Sequence, residues 1–173
     1  MMKKIFVILC LLSTFPAFGQ EQQDGNSFLK DGEVNVVGKK VAVQRLLPIK
    51  KNGKEMAESF LHAQNVHFET VEIGESFLCG TILTEPLYRN VYCTARASVE
   101  IFLKYDSTRP LVQVNCSQIL INPRHGDQQM QYNPVAGIPA SDYLTAENAE
   151  LVYKLLENYL LRLSQECFYH FLR

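Results

Sequence analysis

Residues 91–105, Val91-Tyr92-Cys93-Thr94-Ala95-Arg96-Ala97-Ser98-Val99-Glu100-Ile101-Phe102-Leu103-Lys104-Tyr105, decide the fold. Val91, Cys93, Ala95, Ala97, Val99, Ile101, Leu103 and Tyr105 alternate with residues that are mostly polar. Successive side chains of a strand point to opposite faces, so this period of two predicts one long strand with an apolar and a polar side. Such a strand belongs in an antiparallel sheet covered on one face. Asp106-Ser107-Thr108-Arg109-Pro110 then reads as a turn. Residues 111–121 return as the partner strand, with Val112, Val114 and Cys116 on the inward parity.

Upstream, residues 77–85 predict a strand stopped by Pro86, and residues 66–73 another, with Gly74-Glu75 between them. Met56, Ala57, Phe60, Leu61 and Ala63 recur at helical spacing behind Asn52 and Glu55, which resemble a capping box. Residues 34–37 and 41–49 are both strand candidates, the second the better one. Downstream, residues 122–144 carry Pro123, Gly126, Pro134, Gly137 and Pro139 and read as irregular, with room for a short edge strand in 129–135. Thr145 caps a long helix with Val152, Leu155, Leu156, Tyr159, Leu160, Leu163 and Cys167 on one side. Running to Leu172, it is about 40 Å long at about 1.5 Å per residue. The expected order is β-α-β-β-β-β-α. The fold class is α+β, a twisted antiparallel sheet with two helices on one face.

The chain starts with Lys3 and Lys4, an apolar run from Ile5 to Leu12, a break at Ser13, Thr14 and Pro16, and small residues at Ala17 and Gly19. This is the layout of a secretory signal peptide over 1–19. The run is too short for a membrane span, which needs roughly 20 apolar residues. Cys10 sits inside the run behind Leu9 and does not match a lipidated cysteine. Residues 20–39 read as a flexible lead-in and 40–173 as one α+β domain. The mature protein is expected to be periplasmic or secreted, with no transmembrane segment.

Losing Lys3 and Lys4 leaves 15 basic against 18 acidic residues, a net charge of −3. That balance offers no basic field for nucleic acid. Cys79, Cys93, Cys116 and Cys167 remain, at spacings that suit neither zinc nor a redox C-x-x-C pair. An estimated register puts Cys79 near Ala97 and Cys116 near Ile101. Cys93 is then too far from Cys116 for a disulfide, and Cys79 and Cys116 look too far from each other. Only Cys167 could reach one of them. Four free thiols are the expectation.

No catalytic, cofactor-binding or metal-ligating set emerges. Gly74-Glu75-Ser76 begins like a nucleophile elbow, but the serine leads into a strand and the second glycine is missing. His125 and Asp127 share a Gly/Pro-rich loop without an identifiable third partner. His62, His67 and His170 show no metal-ligand spacing. Lys50, Lys51 and Lys54 read as a solvated helix start, and the sequon at Asn115 falls inside a strand. Tyr92 and Phe102 lie on the outward parity of the long strand, and Tyr132 lies in the late loop. Together they are a possible binding surface, unless the loop folds across them.

The first helix (52–64), the glycine-containing strand Phe77-Leu78-Cys79-Gly80-Thr81-Ile82 and the long hairpin give the chain from about 40 to 172 a family resemblance. It resembles a domain of unknown function in secreted Bacteroidota proteins, described as having a fold like the TATA-binding protein. The resemblance implies that fold and no functional residue. The first helix lacks the tryptophan such domains often carry, and the hairpin turn lacks their basic-aromatic pattern. The expected function is an exported, non-enzymatic binding module for an unknown protein or small-molecule partner. A carrier of a small apolar ligand in a sheet–helix cavity is the alternative. A hydrolase using the His125 loop is the second.

Overall fold

The computed structural model describes residues 29–63, 68–125 and 128–173. The expected signal peptide, most of the stretch 20–33, His67 and Asp127 lie outside them. The elements are β1 (Val34–Val37), β2 (Lys40–Leu46), α1 (Gly53–Ala63), β3 (Phe68–Ile73), β4 (Phe77–Leu83), β5 (Tyr88–Arg89), β6 (Cys93–Lys104), β7 (Leu111–Pro123), β8 (Met130–Tyr132) and α2 (Ala146–Leu172).

All eight strands form one antiparallel sheet around the β6–β7 hairpin. Its main order is β1-β2-β7-β6-β4-β3. The hairpin is longer than its neighbours, so each side is shared by two strands in line. On β7, β2 pairs with Leu111 to Cys116 and β8 with Ile119 to Ile121. On β6, β4 pairs with Ser98 to Lys104 and β5 with Thr94 and Ala95. The α+β sheet with two helices is as expected, with more strands. β1 is the weaker of the two early candidates, so the sheet starts inside the stretch read as a lead-in. β8 falls within 129–135. β5 was not anticipated, because a two-residue strand just after Pro86 carries no periodicity.

Every inward residue of β6 from Cys93 to Leu103 is at most 1% exposed. On β7 the buried parity changes. Val112, Val114 and Cys116 are inward, then Ile119 and Ile121. The register explains this: Val99 faces Cys116 but Ser98 faces Gln118, leaving Ser117 as an extra residue. The bulge flips the parity and keeps both isoleucines in the core. The estimated registers shift too. Cys79 stands opposite Phe102 rather than near Ala97, because the 84–92 connection contains β5 instead of a tight turn. Cys116 stands opposite Val99, two residues from the estimate.

Thr145 caps α2 as expected: its side-chain oxygen accepts from the Asn148 N–H at 3.3 Å. The helix buries Ala149, Val152, Leu156, Leu160, Leu163, Cys167 and Phe171 in the same core as the inward sheet residues. Helix α1 adds Ala57 and Phe60, and Phe60 meets the His170 ring of α2 edge-on at 5.6 Å between centroids. Tyr105 pins the far end of the sheet. Its buried hydroxyl lies 2.5 Å from the Gly74 carbonyl and 2.9 Å from that of Phe77. Gly53 starts α1 against Tyr105, where an added Cβ would come within 2.9 Å of the Tyr105 Cβ and 3.2 Å of its ring. The four described cysteines, Cys79, Cys93, Cys116 and Cys167, are free.

Candidate functional site

The structure does not gather the three aromatics into one patch. Phe102 is on the outer face near one end of β6, stacked on Phe77 at 6.3 Å. Tyr92 lies ten residues back, roughly 33 Å along the strand direction at about 3.3 Å per residue. Tyr132 faces the other way: it pairs with Ile119 and packs on the inner core. The late loop does not cover Phe102 either, since Ile138, Tyr143 and Leu144 join the inner core. Tyr92 is 57% exposed in a well-built turn. The Asn90 side-chain oxygen accepts from the N–H groups of Tyr92 and Cys93 at 2.8 and 2.7 Å. The Asn90 amide donates to the Tyr143 carbonyl at 3.1 Å.

Beside that turn the outer face holds a polar depression of about 360 Å3, lined by Leu83, Arg89, Thr94, Arg96, Asn122 and Gln129. The register builds it. Arg89 of β5 pairs with Thr94 of β6, and Thr94 pairs with Asn122 of β7. Gln129, next to β8, donates from its amide to the Asn122 side-chain oxygen at 2.7 Å. Paired residues share a face, so these four form a row across the sheet. Arg96 stands in the next row, two residues along β6. Among the described residues neither Arg89 nor Arg96 has a carboxylate within 4.0 Å, and no acid lines the depression. The acid farther along this side of β6, Glu100, is held by Lys40 at 2.7 Å.

None of this constellation appears in the sequence reading. Thr94 and Arg96 were polar residues of a solvated face, and Arg89 belonged to an unassigned connection. The outward parity of β6 was the available signal, and only the pairing of β5 puts Arg89 beside it.

None of the other chemistry-bearing groups lines this depression. His125 is exposed. The Ser76 carbonyl accepts from the Tyr105 N–H at 3.0 Å. Lys54 pairs with Glu75 at 2.5 Å, which occupies the one lysine of the early cluster nearest the helix start. Asn115 is 2% exposed and accepts from the Gln113 amide at 3.1 Å. Burial pushes the Cys116 thiol up to about 12 and that of Cys167 up as well, the reverse of an activated thiolate. The Cys79 thiol is also raised, by burial and then by the neighbouring Glu72 carboxylate. Among the described residues no three His, Cys, Asp or Glu side chains cluster as metal ligands. No helix described is long and apolar enough to cross a membrane.

No protein-family model and no curated protein matches the chain.

Proposed function

We propose that the protein is an exported, non-enzymatic binding module that presents the outer face of its sheet. One observation carries this reading. Arg89 and Arg96 stand without acidic partners in a polar depression on the sheet face opposite both helices. Strands hold these side chains in place, as a recognition surface requires. Tyr92 stands exposed in a hydrogen-bonded turn two residues before Thr94. Export to the periplasm or beyond, and the resemblance to a secreted domain of unknown function, form part of the same proposal. The resemblance assigns no site. The net negative charge opposes a nucleic-acid partner.

The carrier alternative needs open space beside Val99, Ile101 and Val152. All three are side chains of one contiguous core. The hydrolase alternative needs a nucleophile and a carboxylate held beside His125, which stands exposed just past the end of β7.

Retention of partners from the native cell envelope, read by mass spectrometry, tests the proposal. Arg96→Glu and Tyr92→Ala are expected to lose what the wild type retains. Leu151→Glu, on the exposed side of α2, is expected to keep it. The opposite pattern would sink the proposal.

A further inference from the structure

We infer that Arg89, Thr94, Arg96, Asn122 and Gln129 bind a phosphate monoester carried by a small ligand. The inference rests on the binding-module reading and names its ligand class.

Charge comes first. Arginine stays protonated in proteins, so the two guanidiniums put two permanent positive charges in one depression. Like charges one strand apart oppose each other, and among the described residues no carboxylate lies within 4.0 Å of either. A phosphate monoester carries about −1.5 to −2 at pH 7 and offers three acceptor oxygens. It matches both arginines at once. A carboxylate or a phosphodiester brings one charge and leaves one guanidinium unmatched.

Donor geometry points the same way. A guanidinium donates through a planar fork suited to oxyanions. Arg89 and Arg96 are one strand and two residues apart on one face, so their forks can meet on a single group. The bond from Gln129 uses the Asn122 acceptor and leaves the Asn122 amide N–H groups to donate. The Thr94 hydroxyl adds a donor in the same row. The Gln129 side-chain oxygen remains as an acceptor for a hydroxyl of the ligand body, and Leu83 supplies an apolar wall. The volume of about 360 Å3 suits a phosphate on a body the size of a sugar.

Titration of the 15N-labelled mature protein tests this, with inorganic phosphate, glucose 6-phosphate, glucose, acetate and a short single-stranded oligonucleotide at matched ionic strength. Inorganic phosphate and glucose 6-phosphate should give saturable shifts at the amides of Arg89, Thr94, Arg96, Asn122 and Gln129. Glucose should give none, and acetate and the oligonucleotide much weaker ones. Arg89→Gln and Arg96→Gln should each weaken binding by about tenfold or more, and the double variant should abolish it. Arg96→Lys, which keeps the charge and loses the fork, should fall between wild type and Arg96→Gln. Affinity should also drop from pH 7.5 to 5.5, because the second phosphate pKa is about 6 and the arginines do not titrate there. Absence of saturable phosphate binding overturns the inference. So does binding that survives the double substitution, or acetate or oligonucleotide binding as tight as phosphate. If phosphate fails while Arg96→Glu still loses an envelope partner, the ligand class falls and the binding module stands.

Discussion

On the inner side of β6, Cys93, Ala95, Ala97, Val99, Ile101 and Leu103 are sealed beneath two helices. On the outer side, Thr94, Arg96, Ser98, Glu100 and Phe102 keep partial access to water, although strands flank them on both edges. One strand is therefore divided by parity, and the proposed recognition falls on its outer half. Inner residues fold the chain, and their identity is set by volume and hydrophobicity. Outer residues make few demands on folding, and their chemistry is free to serve recognition. Substitutions on β6 should accordingly separate into stability effects and binding effects.

The sharpest test is Ile101→Ala, which removes a 1% exposed side chain from the core. It is expected to cost about 2–5 kcal/mol in urea unfolding, with outer-face binding retained wherever the protein stays folded. Arg96→Gln should show the converse, with stability within about 0.5 kcal/mol of wild type and binding weakened by about tenfold or more. Equal destabilisation by both would break the division by parity.

A second test concerns the sheet end held by Tyr105. Tyr105→Phe leaves the Gly74 and Phe77 carbonyls without its proton and is expected to cost about 1–2 kcal/mol. The same unfolding curves would read it. A loss near zero would show that the main chain there holds without the hydroxyl.

The inner core also contains a titrating group where the outer face has permanent charges. Burial lowers the pKa of His170, and Arg173 adds to the effect against an opposing Met56 carbonyl. The fold thus favours the neutral imidazole. The stability from keeping it neutral is complete above the ordinary value of 6.5 and is lost as pH falls from there through the lower folded value. Unfolding free energy from pH 7 to 5 should decline more in wild type than in His170→Gln. Parallel profiles would remove His170 as the cause.

The smallest effect is kinetic. Cys79 is partly exposed, whereas Cys93, Cys116 and Cys167 are buried. Ellman's reagent should modify Cys79 first in the native protein and release all four thiols only on unfolding. Fewer than four in denaturant would mean that a disulfide forms and the strand register is wrong.

The legible parts of the fold are those where one periodic signal dominates its neighbourhood. The alternation of 91–105 became β6, and Thr145 with its apolar stripe became α2 over Ala146–Leu172. Gln129 to Val135 held a short strand because Met130 and Tyr132 can alternate there. Tyr88-Arg89 could not be seen, since two residues have no period and their strand exists only because β6 runs on past the end of β4. Ser117 was equally silent. It looks like any polar strand residue, and its extra place in β7 shows only in the partner register. Tyr132 was taken for a surface residue because its Pro/Gly-containing stretch read as irregular, whereas pairing with Ile119 turned it inward.

By itself, the sequence determined which residues of the long strand must be hidden and where the capped helix begins. Those properties are local, because side-chain alternation and capping act within a few residues of each other. Tertiary structure alone decided that Arg89 and Arg96 share a depression and that Tyr92, Phe102 and Tyr132 do not share a patch. Both depend on registers between strands far apart in the chain. A shift of one residue in register turns a side chain to the opposite face, and no local pattern reports that shift.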